Sequence, residues 1–224
     1  MKATKLSISL LAALGLTAIA APAMAYEAGD WLVRGRIVNV HPDSSSGLIS
    51  AGGAEIPGSG VTVDDDTIPE LDITYMIHRN FGIELILGYS KHDVIATGTT
   101  AALGKVIEAK ALPPTLLLQY HFLPDAKFRP YVGAGVNYTY FWDEDVKGPL
   151  AGAPGSEVKM DDSWGLALQA GMDFAISENW FINADVKWID MSTTARFKNT
   201  IVGEAQVDVD VDPFVYGVGV GYRF

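Results

Sequence analysis

The sequence has no cysteine. That excludes a disulfide framework, a thiolate metal site and a cysteine nucleophile. Basic residues are scarce as well, with 16 Lys and Arg against 27 Asp and Glu and a formal charge of −11 over 224 residues. Nucleic acid is therefore not an expected partner, because phosphate binding needs clustered Lys and Arg. There is no Gly-rich phosphate loop and no strand–helix–strand rhythm, which argues against a nucleotide enzyme. Past residue 26 no segment approaches 18 uninterrupted apolar residues, so helical membrane spans are excluded while membrane strands are not. What is present is apolar: 49% hydrophobic residues with only 19% charged.

The first residues read as a leader. Lys2 and Lys5 supply a positive start, Leu6 to Ile19 an apolar stretch, and Ala23-Met24-Ala25 the small-x-small pattern accepted by signal peptidase. Residues 1–25 are thus expected to be a cleaved signal peptide and 26–224 a single outer-membrane domain. Removing Lys2 and Lys5 takes the basic count from 16 to 14 and leaves the acidic count at 27. An exported chain without cysteine fits a Gram-negative periplasm or outer membrane.

Beyond the leader the dominant periodicity is two, the period of a strand with unlike faces. It runs through 30–40, 70–78, 81–92, 115–122, 129–141, 164–174, 180–188 and 214–224, which makes eight strands. In 81–92, for example, Phe81, Ile83, Leu85, Leu87 and Tyr89 oppose Gly82, Glu84, Ile86, Gly88, Ser90 and His92. The connections alternate in length. Those near 78–80, 123–127 and 176–179 are short, whereas 41–66, 93–109, 143–162 and 192–211 are long and rich in Gly, Ser and Asp. This pattern predicts an all-β fold: an eight-stranded antiparallel up-and-down transmembrane β-barrel with long extracellular loops, short periplasmic turns and both termini periplasmic.

Charge decides which face is outside. The apolar face carries no Asp, Glu, Lys or Arg between the interfaces, as lipid contact demands, since a charge at the midplane costs about 2–4 kcal/mol. The other face carries Glu70, Asp72, Glu84, Asp173 and Asp185 with Arg34, Arg36, Arg129, Lys187 and Arg223. Acids and bases in equal number can neutralise one another in a narrow lumen, and we expect them to form a charge plug. A soluble lipocalin-like barrel would show the reverse pattern. Aromatic residues cluster at both ends of the apolar face: Trp31, Phe122, Phe174, Trp180 and Phe224 at one, and Tyr89, Tyr138, Tyr140, Trp164, Trp188 and Phe214 at the other. These are expected to be interfacial girdles in contact with outer-membrane lipid and lipopolysaccharide.

Several stretches resemble one family. They are Tyr26-Glu27-Ala28-Gly29-Asp30, Leu112-Pro113-Pro114-Thr115-Leu116, Phe128-Arg129-Pro130-Tyr131-Val132-Gly133-Ala134-Gly135-Val136-Asn137-Tyr138, Asp162-Ser163-Trp164-Gly165, and the ending from Asp212-Pro213-Phe214 to Gly221-Tyr222-Arg223-Phe224. Together they are similar to the OmpW family of outer-membrane proteins, including the AlkL-type proteins of hydrocarbon degraders. The resemblance covers essentially the whole mature chain. It implies a monomeric barrel that helps small hydrophobic molecules across the outer membrane, with lateral exit into the bilayer. It also implies that Tyr222 and Phe224 are read by the barrel assembly machinery.

An eight-stranded lumen is filled by its own side chains, so solutes must use its upper part. Met76, Ile86 and Leu117 are inward-facing and apolar among polar neighbours, and are candidates for lining the passage. Pro113, Pro114 and Pro213 lack the N–H that a ladder needs, and are candidates for a lateral exit. Of the histidines, His78 and His121 are expected to face inward near the periplasmic end, and His41 and His92 complete the set without metal-ligand spacing. Ser90 and His92 share the lumen side while Asp93 points away, so no catalytic triad is expected. The acidic runs Asp64-Asp65-Asp66, Asp143-Glu144-Asp145, Asp161-Asp162 and Asp208, Asp210, Asp212 read as solvated rims, with divalent-cation binding as the alternative. Neither a cofactor nor catalytic residues are expected. The alternative to a hydrophobic-solute channel is a non-transporting surface barrel that acts as a receptor or in a stress response.

Overall fold

The computed structural model describes residues 25–224; the leader expected over residues 1–25 lies outside them except for Ala25. Eight long strands form the wall: β1 (Trp31–His41), β2 (Asp66–His78), β3 (Phe81–Gly88), β4 (Thr115–His121), β5 (Phe128–Val146), β6 (Ser163–Ala175), β7 (Trp180–Ile189) and β8 (Phe214–Arg223). Each pairs antiparallel with its sequence neighbours, and β1 pairs with β8 from Leu32↔Arg223 to His41↔Phe214, which closes the barrel. Closure leaves no wall strand with an unpaired edge, the condition for crossing lipid with strands. The short turns link β2–β3, β4–β5 and β6–β7, at the same end as Ala25 and Phe224.

The expected alternation holds in the wall. Leu116, Leu118, Val132, Val136, Leu166, Leu168, Val218 and Val220 are exposed on the outside, while Arg34, Asp72, Glu84 and Asp173 are fully buried inside. Outward aromatics ring both ends; at the short-turn end Trp180 packs on Tyr222 and Tyr222 on Phe224, with centroids 4.9 and 4.7 Å apart. Inward glycines make room for the charged layer, and a Cβ on Gly217 would stand 2.5 Å from the Asp185 carboxylate.

The long connections differ from the expectation of irregular loops. Ser59–Val63, Ser90–Gly98, Lys105–Leu112 and the upper part of β5 pair in that order into one sheet that prolongs the wall. Glu157–Met160, Ser192–Thr200 and Gly203–Asp210 form a second sheet, joined by short strands at Ser45–Ser46, Ser50–Ala51 and Ala54–Glu55. Above the membrane band the polarity reverses. In 192–211, Ala195, Phe197, Val207 and Val209 are buried inside while Arg196, Lys198, Asp208 and Asp210 face out. Water lies outside this part of the barrel where lipid lies outside the other, so the apolar face turns inward.

His78 also departs from expectation. The β2–β3 register shifts between Met76 and His78, and this bulge turns the imidazole outward, so His78 is exposed while His121 is fully buried. One extra residue in the bulge breaks the alternation, so Thr74 and His78, four residues apart, face opposite sides of the wall.

Candidate functional site

The lower lumen is filled by charge in two layers. In the upper layer Arg36 reaches Asp72 at 2.5 Å, Asp185 at 2.6 Å and Glu70 at 2.8 Å, and Lys187 bonds Glu70 at 2.6 Å. Below it Arg34 reaches Asp173 at 2.8 Å, Glu84 at 3.1 Å and the Thr74 hydroxyl at 2.7 Å. Gln119 joins the layers sideways, donating to Glu84 and Gln169, each at 2.8 Å. Beneath these, Tyr26 is fully buried against His121 and Phe181, donates to Asp173 at 3.0 Å, and carries Arg129 4.1 Å above its ring. Arg223 pairs with Asp30 at 3.5 Å. The residues read as a charge plug are thus all inward, with Arg129 and Arg223 at its lower margin. Every cation in the two central layers has at least two carboxylates within reach, which buried charge requires.

Above the plug lies an apolar cavity of about 70 Å³. Ile86, Glu70, Thr115 and Lys187 form its floor; Val94, Ile107, Ala109, Phe141, Val209 and Val211 are among its walls. Part of the wall, including Val94, Ile107, Ala109 and Val209, comes from connections that the composition presented as Gly-, Ser- and Asp-rich loops. The available signal was the period-two run Ala205, Val207, Val209, Val211, whose polarity is inverted relative to the membrane strands.

The three apolar candidates separate. Ile86 lines the cavity. Leu117 is buried in the same apolar cluster without lining the cavity, and Met76 packs at the opposite end with Tyr26, Leu32 and Phe181.

The prolines separate as well. Pairing of β3 with β4 runs up to Ile86↔Thr115 and resumes in the same register at Ser90↔Ala111. Across the interval, Leu87–Tyr89 face Leu112–Pro114 with no backbone hydrogen bond between them. Pro113 and Pro114 have no N–H to give. Their carbonyls are taken up instead on the β5 side, by Asn137 Nδ2 at 3.2 Å from Pro113 and by the Tyr138 N–H at 3.1 Å from Pro114. The break therefore sits level with the cavity floor, and Pro113 lines the cavity. Pro213 also lines it, but there the wall is bridged: the Ile189 N–H bonds the Pro213 carbonyl at 3.2 Å, and Val211 bonds Met191 at 2.7 Å.

Ser90 and His92 lie on the wall just above the break, with Ser90 Oγ 2.9 Å from His92 Nε2. The other ring nitrogen, Nδ1, meets the Asp64 backbone carbonyl at 2.8 Å, with the Asp64 carboxylate 4.0 Å away. Asp93 takes no part and pairs with Lys105 at 2.7 Å. Among the described residues no three His, Asp or Glu side chains are grouped to hold a metal ion. The outer acids pair or hydrogen-bond locally: Asp161 with Arg196, Asp143 with Lys110 at 2.7 Å, and Asp208 with the Thr194 hydroxyl at 2.7 Å.

A closed eight-stranded wall, apolar outside and charged within, ringed by aromatics at both ends, defines an outer-membrane β-barrel. Residues 27–224 match the profile of the OmpW family, and the chain belongs to that family. It is 37% identical over 227 residues to outer membrane protein W of Vibrio cholerae, covering all of both chains. It is 28% identical over 217 residues to the dibenzothiophene metabolism operon protein PahQ of Pseudomonas aeruginosa, covering 93% of this chain and 95% of that one. The crystal structure of the outer membrane protein OprG from Pseudomonas aeruginosa superposes with a TM-score of 0.84 at 40% identity, covering 91% of this chain and 99% of that chain. The Vibrio cholerae relative and the Pseudomonas aeruginosa structure are both outer membrane proteins by name.

Proposed function

We propose that the protein carries small hydrophobic molecules across the outer membrane, from the extracellular end of the cavity and out sideways between β3 and β4 into the bilayer. The observation that carries this reading is the level of the break. An apolar solute that reaches the cavity floor meets Glu70 and Lys187 below it, and entering those charged layers would cost it several kcal/mol of polar contacts left unmade. At that same height the wall lacks cross-strand hydrogen bonds over Leu87–Tyr89 and Leu112–Pro114. Parting the strands there breaks no ladder. The relative named for a dibenzothiophene operon is in keeping with a hydrocarbon solute.

In this reading the short turns and both termini are periplasmic, the aromatic girdles meet lipid and lipopolysaccharide, the barrel works as a monomer, and Tyr222 and Phe224 present the terminal strand to the assembly machinery. The test is entry of labelled octane and naphthalene into cells with intact outer membranes, with and without the protein, beside a hydrophilic sugar. Faster hydrocarbon entry with unchanged sugar entry is expected. Equal entry of every compound, with the barrel folded in place, would make it a surface barrel that anchors its extracellular sheets without transport.

A further inference from the structure

We propose that the Ser90–His92 pair is a hydrogen-bond acceptor built into the cavity wall that selects, among hydrocarbons of one size, those bearing a hydroxyl group. The inference rests on the passage proposed above and adds the substrate class its wall recognises. The wall is apolar apart from a few side chains, and among their hydroxyls only that of Ser90 donates to an imidazole rather than to a backbone carbonyl. Lys187 is held by Glu70 at 2.6 Å. Thr115 donates to the Pro113 carbonyl and receives Asn137 Nδ2 at 2.9 Å, and Thr193 donates to the Asp161 carbonyl at 2.7 Å.

The direction of each hydrogen bond fixes what Ser90 can offer. A backbone carbonyl only accepts, so the 2.8 Å contact with Asp64 assigns the proton of the neutral ring to Nδ1 of His92. Nε2 is then the acceptor and the Ser90 hydroxyl donates to it across 2.9 Å. With its proton committed, Ser90 Oγ has lone pairs to give and no donor, and donation to an imidazole polarises the oxygen toward a stronger acceptor. Ser90 Oγ has no hydrogen-bond partner besides His92 among the described residues, and the residue is 3% exposed. A ligand hydroxyl or phenol can donate to it. An ether, ester or carboxylate, which only accepts, cannot, and a carboxylate would also meet Glu70 at the floor. The pair stands immediately above the wall break, so an alcohol held there keeps its chain beside the exit.

The experiment measures protein-dependent initial uptake of 1-octanol, octane and octyl methyl ether, each as the difference between cells with and without the barrel. With the unaltered protein, 1-octanol is expected to exceed the ether relative to uptake by cells lacking the protein. Ser90→Ala should lower 1-octanol uptake roughly 2–10-fold, the fold-change of one net hydrogen bond, and leave octane unchanged. Ser90→Thr should restore it, and Thr193→Val should leave the preference for 1-octanol over the ether in place. Heat-shifted migration on gels confirms that each barrel is folded. If octane enters by way of the protein but alcohol and ether are treated alike, or if Thr193→Val rather than Ser90→Ala removes the preference, the assignment to Ser90 is overturned. If none of the three compounds enters by way of the protein, the passage itself fails and the selectivity with it.

Discussion

Replacing Arg36 with Met probes the plug on which the sideways exit depends. The guanidinium is buried with three carboxylates, Asp72, Asp185 and Glu70, at 2.5–2.8 Å. Methionine fills most of the side-chain volume, so the loss is electrostatic. Without Arg36 the upper layer keeps only Lys187 against those three acids, and removal of one partner from a buried ionic cluster costs about 3–5 kcal/mol. Urea unfolding of the refolded barrel in lipid vesicles reads this directly. Adding Asp72→Asn to Arg36→Met should recover part of the loss, because one of the stranded charges is then gone, with a coupling of about 0.5–3 kcal/mol. A destabilisation below about 1 kcal/mol for Arg36→Met, with no coupling to Asp72→Asn, would refute the reasoning that this layer is held by mutual neutralisation.

Three further outcomes are expected. Ala109→Trp places a large ring on the cavity wall and should reduce hydrocarbon uptake at least several-fold, while the barrel still folds and shows the heat-shifted migration of the unaltered protein. Outside the membrane band, hydrogen bonds from Lys105 and Lys91 hold the Glu108 carboxyl down at about 2. Its folded value is below the ordinary one of 4.5, so its contribution to pinning the Ser90–Gly98 and Lys105–Leu112 hairpin is present above that pH and lost as pH falls towards 2. Amide exchange in this hairpin should accelerate over that interval, and Glu108→Gln should flatten the dependence. Phe224, 69% exposed at the end of the closing strand, should on replacement by Ala lower the amount of barrel accumulating in the outer membrane while leaving refolding in detergent unchanged; equal loss in both would make its role one of stability.

Much of the barrel is legible in the residues because lipid imposes a strict rule: outward positions must be apolar, and every strand in the wall announces this with period two. The charge plug is legible for the same reason, since Arg34, Arg36, Asp72 and Asp173 have nowhere to go but inward. The cavity is not. Its walls obey the opposite rule, apolar in and charged out, and alternation alone does not say on which side the water lies. Asp208 and Asp210 read as an acidic rim, whereas Val209 between them lines the cavity and Val207 beside them is buried. His78 fails through a local bulge, invisible to a parity count. The prolines mark where hydrogen bonds cannot form, but only the pairing of both flanking strands separates the open joint at Pro113 and Pro114 from the bridged one at Pro213. The Ser90–His92 pair was visible as a spacing, yet its third partner, the Asp64 carbonyl, is a backbone atom from a distant segment.

The most direct test of the central claim is octane uptake by the variant Pro113→Thr/Pro114→Val, compared with the unaltered barrel at equal amounts in the outer membrane. The restored N–H of residue 113 lies on the same side of the strand as that of Thr115, which pairs with Ile86, and so allows the ladder to close between β3 and β4, while residue 114 presents its N–H to β5. Uptake falling to the level of cells without the protein, with the barrel more stable to urea, is the predicted result. Unchanged uptake with the ladder closed, as seen by protection from exchange of the new amide at residue 113, would contradict a sideways exit at this joint.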